Sequence, residues 1–315
     1  MIADATGGGG LMRIEKVVVG IDFSRPAIDA AQWVVQQLVP DAELILAHVI
    51  DLPPTPSFLR GVAASDAELE ATARTAAEAQ LRELASILTP ARVRTVIRTG
   101  RTHEELAKLA AETGADLVVV GPHGDRPRPW KMLGTTAERV ARAAAPAVLV
   151  VAHPRSTPPR RVLVALDDTP IVTTVLDWTK TIADTSGAGV TAVHVLRGSA
   201  TSHAPHTAGG GDAVPATQAS AEALDEATRW LATLVGESLG HGRVESIVAH
   251  GHPGDAILET ARDIGADLII LGRRGRGTLI PAVAGSTVST VLHGASRPVL
   301  VVTEEAVDWM VSEGE

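Results

Sequence analysis

The feature that most constrains the fold is an internal repeat spanning nearly the whole chain. The segment GADLVVVG (114–121) recurs 151 residues later as GADLIILG (265–272), and the runs AVLVV and PVLVV end at Val151 and Val302 with the same spacing. Near the start of each half, KVVVGIDFS (16–24) matches RVLVALDDT (161–169). A period this long excludes a solenoid of short repeats, so the sequence predicts two tandem copies of one domain.

The length of the chain is consistent with two domains, and its charge and apolar pattern argue against nucleic acid and membranes as partners. We expect a flexible leader over 1–13, a first domain over 14–153, a linker over 154–159, a second domain over 160–304 and an acidic tail over 305–315. The formal net charge of −9 argues against nucleic acid as a partner. No signal core or membrane-length apolar run is present, which predicts a cytoplasmic protein that does not engage membranes. The chain has no cysteine, so disulfides and thiolate chemistry are excluded.

Each copy alternates short apolar runs with segments of helical periodicity. In the first copy, KVVVGI and ADLVVV are continuous valine-rich runs, which are typical of strands buried on both faces of a parallel sheet. Ser24 before Pro26 predicts a helix start, and Gly114 predicts a helix end. Five strands and four helices in alternation predict an α/β fold with a parallel sheet. In such sheets, ligands bind at the carboxyl ends of the strands, where the strand order reverses.

A glycine loop follows the fourth strand in both copies. It reads GPHGDRPRPWKMLGTT at 121–136 and GRRGRGTLIPAVAGST at 272–287, and both share Gly, two residues, Gly, nine residues, Gly, then Thr or Ser. The last glycine precedes a predicted helix, whose N-terminal amides and partial positive charge suit an anion. The pattern is neither a P-loop nor a dinucleotide fingerprint, and its repetition at one topological position favours a phosphate-binding function over a merely solvated basic loop.

The first and second strands end in residues that carry two interpretations. Asp22 and Asp167 occupy equivalent positions, followed by Ser24 and Thr169. Each carboxylate could accept hydrogen bonds from a ribose or base, or serve as a turn or helix-cap aspartate. At the end of the second strand, Val49 and its counterpart in the second copy could form an aliphatic wall for a purine or belong to the core.

The glycine loop, the strand-one aspartate and the closing VLVV strand together resemble the universal stress protein family, over nearly the whole chain and twice. The resemblance implies two tandem Rossmann-like α/β domains, each a five-stranded parallel sheet with order 3-2-1-4-5 flanked by helices. It also implies that the fifth strands pair antiparallel, so that the chain forms an intrachain pseudo-dimer. Association of whole chains into a homodimer is left open by the sequence.

The same resemblance implies ATP sites in both domains. Slow hydrolysis of the bound ATP, with Mg²⁺ bridging the phosphates, is left open by the sequence. In the first domain, the adenosine side would be Ile21, Asp22, Ser24 and Val49, and the phosphate side Gly121, His123, Gly124, Gly134, Thr135 and Thr136. In the second domain, the adenosine side would be Leu166, Asp167, Thr169 and Val195, and the phosphate side Gly272, Arg274, Gly275, Gly285, Ser286 and Thr287. Asp168 and the prolines of the first loop depart from the family pattern and put equal affinity of the two sites in doubt.

The implied function is regulatory binding of an adenine nucleotide in stress response, with an unidentified protein partner and no catalytic residues. Two alternatives stay open: a slow ATPase or phosphotransferase, and a scaffold that functions without nucleotide. No base and nucleophile pair recurs in both copies, because His123 of the first loop aligns with Arg274 of the second. We therefore expect a binding protein rather than an enzyme, with weak ATP hydrolysis still compatible with the sequence.

Overall fold

A computed structural model gives the fold and describes residues 12–51, 66–88, 92–124, 134–144, 147–197, 216–240, 244–273 and 286–303. The elements of the first copy, in chain order, are β1 Lys16–Gly20, α1 Arg25–Trp33, β2 Glu43–Ile50, α2 Asp66–Ile87, β3 Arg92–Thr99, α3 Thr102–Thr113, β4 Leu117–Val120, α4 Thr135–Ala143 and β5 Ala147–Val150. A π-helical stretch, Val34–Leu38, continues α1.

The second copy repeats this order. Its elements are β6 Arg161–Ala165, α5 Val172–Ser186, β7 Gly189–Leu196, α6 Ala216–Leu239, β8 Val244–His250, α7 Pro253–Asp263, β9 Leu268–Arg273, α8 Ser286–Gly294 and β10 Val299–Thr303. The predicted helix signals act as expected. The Ser24 hydroxyl accepts a hydrogen bond from the Ala27 amide and caps α1, and Gly114 ends α3 in the left-handed conformation at φ 59°.

All ten described strands form one sheet, in the order β3-β2-β1-β4-β5-β10-β9-β6-β7-β8. Within each copy the strands are parallel and follow the order 3-2-1-4-5, so the predicted fold class is confirmed. The strand order reverses beside β1 in the first copy and beside β6 in the second. These two positions are where ligands bind in open α/β sheets.

The two copies join through β5 and β10, which pair antiparallel. Leu149 lies directly opposite Leu300, its own counterpart in the repeat, with Val148 opposite Val301. Equivalent residues facing each other define a pseudo-two-fold axis, as in an isologous dimer interface. The pairing also covers two apolar strands that would otherwise be exposed edges.

The core lies in two layers, one on each face of this sheet, and each layer continues through both copies. One layer contains Leu149 and Leu300, and the other contains Val148 and Val301. Strand β4 is buried at every position, as the valine run predicts, whereas edge strand β3 is largely half-buried or exposed. Among the helices within the described ranges, none is both long and apolar enough to cross a membrane.

One aspartate in each copy, half-buried Asp116 and buried Asp267, holds the start of the first strand. Asp116, in the loop before β4, accepts hydrogen bonds from the backbone amides of Glu15 and Lys16 at 2.8 and 2.9 Å. Asp267 does the same for the amides of Arg160 and Arg161. The aspartate of the repeated GAD segment therefore acts as a structural clamp, which holds the amino-terminal ends of β1 and β6. These ends lie opposite the carboxyl ends, where the cavity is expected.

Candidate functional site

A cavity of about 440 Å³ lies at the carboxyl ends of β1, β2 and β4. It sits where the strand order reverses, between the loop after β1 and the start of α4. Eight residues that the sequence singled out line it: Ile21, Asp22, Val49, Gly121, His123, Gly124, Gly134 and Thr136. Residues more than a hundred positions apart in the chain thus share one concave surface, which is the usual form of a small-molecule site.

The two oxygens of the Asp22 carboxylate have different surroundings. Oδ1 accepts hydrogen bonds from the Ser24 amide at 3.0 Å and the Ser24 hydroxyl at 2.5 Å. Oδ2 lies so close to the glycine loop that an ideal Cβ on Gly124 would be 2.8 Å from it. Oδ1 is therefore the acceptor in the turn, and Oδ2 is the oxygen next to the glycine loop. Ser24 itself is 2% exposed and holds the turn, without lining the cavity.

Two glycines of the loop are required by close packing. A Cβ on Gly121 would lie 3.0 Å from the Ala27 amide nitrogen and 3.1 Å from the Pro26 carbonyl carbon, so this glycine lets β4 approach the start of α1. A Cβ on Gly134 would lie 3.2 Å from the Pro122 carbonyl oxygen and 3.3 Å from the His123 Cα, and the Gly134 amide donates to that oxygen at 2.6 Å. That hydrogen bond fixes the start of α4 against the end of β4 and closes one wall of the cavity.

Helix α4 directs its N-terminus into the cavity. Its N-cap is Gly134, which has no side chain to accept from the first-turn amides. Thr135 opens the helix, and the exposed Thr136 lines the cavity. Unpaired amides and the partial positive charge of the helix dipole favour an anion at this end. His123 also borders the cavity, and its Nδ1 lies 3.0 Å from the Gly124 carbonyl oxygen.

The sequence interpretation missed His48, which lines the cavity beside Val49. Its Nδ1 hydrogen-bonds to the Ile21 carbonyl oxygen at 2.7 Å, and its ring packs against Phe23 with centroids 4.6 Å apart. His194 repeats the bond in the second domain, with Nδ1 at 2.9 Å from the Leu166 carbonyl oxygen. The signal in the sequence is that a histidine precedes the valine in both AHVI (47–50) and VHVL (193–196).

The described part of the second domain repeats the same turn. The Thr169 hydroxyl donates to Asp167 Oδ1 at 2.6 Å, Leu166 is 4% exposed, and Val195 packs against the core. Gly272 lies where a Cβ would be 3.0 Å from the Ile171 side chain, so it also serves close packing. Ser286 opens α8, followed by Thr287. The predicted residues Arg274, Gly275 and Gly285 lie outside the described residues.

The two glycine-loop helices contact each other across the pseudo-two-fold axis. Glu138 of α4 accepts from the Ser289 hydroxyl of α8 at 2.9 Å, and these residues are equivalents in the repeat. Arg142 donates to Glu138 at 2.8 Å, and His293 Nε2 lies 3.8 Å from it. Burial tends to raise the pKa of Glu138, but the Ser289 hydrogen bond and the charges of Arg142 and a protonated His293 outweigh burial and lower it.

The protein groups around the cavity suit a polar ligand. Over the described ranges, no group of three histidine, aspartate or glutamate side chains is placed to hold a metal ion. The cavity instead combines one carboxylate oxygen, a helix N-terminus and an apolar side formed by Ile21, Ala47 and Val49. Such a surface can bind an anion at one end and a partly apolar, hydrogen-bonding group at the other.

Comparison with known proteins agrees with the internal repeat. The profile of the universal stress protein family matches residues 13–152 and again residues 159–303. A universal stress protein of Mycolicibacterium smegmatis is 29% identical over 301 residues, which cover 91% of this chain and 96% of that protein. The universal stress protein MJ0577 of Methanocaldococcus jannaschii is 37% identical over 60 residues, which are 19% of this chain and 37% of that protein.

Solved structures show the same architecture. The crystal structure of a universal stress protein from Archaeoglobus fulgidus matches with a TM-score of 0.66 at 19% identity, covering 92% of this chain and 97% of that one. At this identity the likeness shows the fold alone. The family assignment rests on the two profile matches, which leave few residues of the chain uncovered. The chain therefore belongs to the universal stress protein family, as two tandem copies of the family domain.

Proposed function

We propose that the protein binds ATP in the cavity of its first domain and acts as a nucleotide-dependent regulator in stress response. The observation that carries this proposal is the meeting of Asp22, the glycine loop and the N-terminus of α4 around one cavity. Its volume of about 440 Å³ lies within the range of small-molecule sites, roughly 300–1,000 Å³.

The chemistry of the lining supports one orientation of the nucleotide. Asp22 Oδ2 can accept hydrogen bonds from the ribose hydroxyls, while Ile21 and Val49 provide apolar contact for adenine. The phosphates belong at the other end, against Gly124, Thr136 and the first-turn amides of α4. Mg²⁺ would then be held chiefly by the phosphates and water, since this ion commonly keeps several water ligands.

A second nucleotide site is proposed for the second domain. Support comes from the repeated turn, in which Thr169 bonds Asp167 and His194 bonds the Leu166 carbonyl as their counterparts do. Its loop sequence carries Arg273, Arg274 and Arg276 without an acidic residue, whereas the first loop carries Asp125 among its basic residues. We therefore expect the second site to bind the phosphates more tightly.

The role proposed for ATP is regulatory rather than catalytic. His123, the one described lining residue on the glycine loop able to act as a general base, has no counterpart in the second loop, where Arg274 takes its position. ATP occupancy would order the loop and bias assembly with a protein partner, through its difference in affinity between two states. Steady phosphate release above about 1 s⁻¹, within the usual enzyme range, would contradict this role.

The proposal is tested by finding what the protein carries and what it binds. We expect chromatography of the denatured, freshly purified protein to release an adenine nucleotide, or the nucleotide-free protein to bind added ATP in calorimetry. GTP serves as the matched control and should bind more weakly. A protein that releases no nucleotide and binds no ATP would refute the proposed function.

A further inference from the structure

A second cavity, which we call the arginine cleft, lies in the second domain. It is at the amino-terminal end of β9, on the side of the sheet opposite the carboxyl ends of the strands. It has a volume of about 210 Å³ and lies between the C-terminal ends of α7 and α8 and the segment after β5. Three arginines and a serine line it, together with small and apolar residues: Arg155, Arg262, Ser296, Arg297, Leu258, Ala261, Gly265, Ala266, Ile269, Gly294 and Ala295. The lining contains no carboxylate, although the whole chain has a net charge of −9.

Each guanidinium is anchored through one nitrogen. Arg155 Nε lies 3.0 Å from Asp267 Oδ1, Arg262 Nε donates to the Leu258 carbonyl oxygen at 3.2 Å, and Arg297 Nη1 donates to the His153 carbonyl oxygen at 3.2 Å. Within the described part of the chain, Arg262 and Arg297 form no ion pair. Anchored side chains with further donors left over lose little freedom when they bind an oxyanion.

The first copy shows that the fold does not require an arginine at the positions of Arg262 and Arg297. At the positions equivalent to Arg262, Ser296 and Arg297 it carries Ala111, Ala145 and Pro146. The cation that both copies share has a separate structural function: Lys16 Nζ donates to the Thr113 carbonyl oxygen, and Arg161 Nη1 donates to the Ile264 carbonyl oxygen.

A favourable interaction with a helix C-terminus explains at most one of the three arginines. Arg262 lies in the last turn of α7, where a cation is stabilised by the helix dipole. Arg155 belongs to the segment between β5 and β6, and Arg297 to the segment between α8 and β10. Three separate segments therefore converge their positive charges on one cavity.

We propose that the arginine cleft binds a small phosphate-bearing anion, independently of the nucleotide cavity. Arginine forks match the oxygens of phosphate in pairs, and a dianion balances the two charges that remain after Asp267 neutralises Arg155. The Ser296 hydroxyl adds a neutral donor, and Leu258 and Ile269 offer apolar contact for a short carbon body. The volume is about half that of the nucleotide cavity, so the cleft suits a ligand smaller than ATP.

The test uses the full chain and titrates inorganic phosphate and pyrophosphate while backbone amide signals are followed by NMR. Binding in the cleft is expected to shift the amides of Gly294, Ala295 and Ser296, whereas binding in the nucleotide cavity would shift those of Gly121 and Gly124. Succinate, a dicarboxylate of similar size, is titrated in parallel and is expected to bind more weakly than pyrophosphate.

Two variants and a charge-matched control separate the cleft from general attraction. Arg262→Ala installs the residue of the first copy, and Arg297→Gln keeps a donor for the His153 carbonyl. Each is expected to weaken pyrophosphate binding about 10-fold, as for loss of one partly exposed charged hydrogen bond. Arg160→Ala also removes one positive charge, but its side chain does not line the cleft, so it should leave the affinity within about 2-fold.

Three results would overturn phosphate binding in the arginine cleft. The proposal is overturned if neither phosphate nor pyrophosphate shifts the amides at 294–296 at concentrations up to about 20 mM, well above a dissociation constant of about 1 mM for weak binding. It is also overturned if shifts occur only at 121–124, or if Arg160→Ala weakens binding as much as Arg262→Ala does. Loss of ATP binding has no bearing on these readouts, so this proposal and the proposed function fail separately.

Discussion

Substitution of Gly124 by alanine tests how the glycine loop and the strand-one aspartate are joined. The new Cβ would lie 2.8 Å from Asp22 Oδ2, about 0.6 Å inside the 3.4 Å at which ordinary contact begins. The carboxylate cannot retreat freely, because Ser24 holds its other oxygen through two hydrogen bonds. Either those bonds break or the loop moves away from the cavity.

Either change should weaken ATP binding at the first site. Loss of one or two hydrogen bonds to a charged group, or an equivalent loop shift, costs about 1.5–3 kcal/mol, which is roughly 10- to 150-fold in affinity. We therefore expect calorimetry to show ATP affinity at the first site reduced by that factor. Gly189→Ala is the matched control, because a Cβ there meets only one atom within 4 Å, the Arg160 carbonyl oxygen at 3.8 Å.

A second substitution distinguishes this clash from a general loss of loop freedom. Asp22→Ala removes the carboxylate that the new methyl group would meet, so adding Gly124→Ala to it should cost little further stability or affinity. The two changes are then non-additive, as expected for groups in contact. If Gly124→Ala leaves ATP affinity unchanged, or if the two effects simply add, the reasoning is refuted.

Substitutions at three further positions test structural contacts. Asp116→Ala leaves the Glu15 and Lys16 amides without their acceptor and should lower the free energy of unfolding in urea by about 1–3 kcal/mol; Asp116→Asn, which retains an acceptor oxygen, should cost less, and equal costs would contradict the clamp. Glu138→Gln should cost about 0.5–1 kcal/mol at pH 7. Because the folded pKa of Glu138 is lowered from 4.5, its stabilisation is present above that pH and lost as the pH falls through the folded pKa, so urea unfolding at pH 3 should show a smaller difference. A difference independent of pH would contradict the lowered pKa of Glu138. His48→Ala removes the donor to the Ile21 carbonyl and should weaken ATP binding in calorimetry about 5- to 10-fold. His48→Asn, whose amide can replace Nδ1–H, should restore part of the affinity, and equal loss in both would assign the effect to the ring contact with Phe23.

The sequence predicted the fold because its signals were redundant. Each buried strand has a matching apolar run in the other copy, and continuous valine-rich runs are typical of a parallel sheet covered on both faces. The helix cap at Ser24 and the helix end at Gly114 depended only on local residue preferences. The antiparallel pairing of β5 with β10 could not be derived from periodicity and came from the family resemblance.

The features that could not be predicted from the sequence are contacts between residues that only the folded chain brings together. The hydrogen bond from His48 to the Ile21 carbonyl requires the register of β1 against β2, which no periodicity reveals. The clamp by Asp116 likewise joins residues about a hundred positions apart. For Asp22 the sequence left two functions open, and only the geometry separates the oxygen held by Ser24 from the oxygen facing Gly124.

A crystal structure of the full chain with ATP and Mg²⁺ would show whether the first-domain cavity is the nucleotide site. We expect density for the nucleotide in this cavity, with the ribose at Asp22, adenine at Val49 and the phosphates at Gly124, Thr136 and the N-terminus of α4. An empty cavity in crystals grown at saturating ATP, or a nucleotide bound away from these residues, would contradict this expectation.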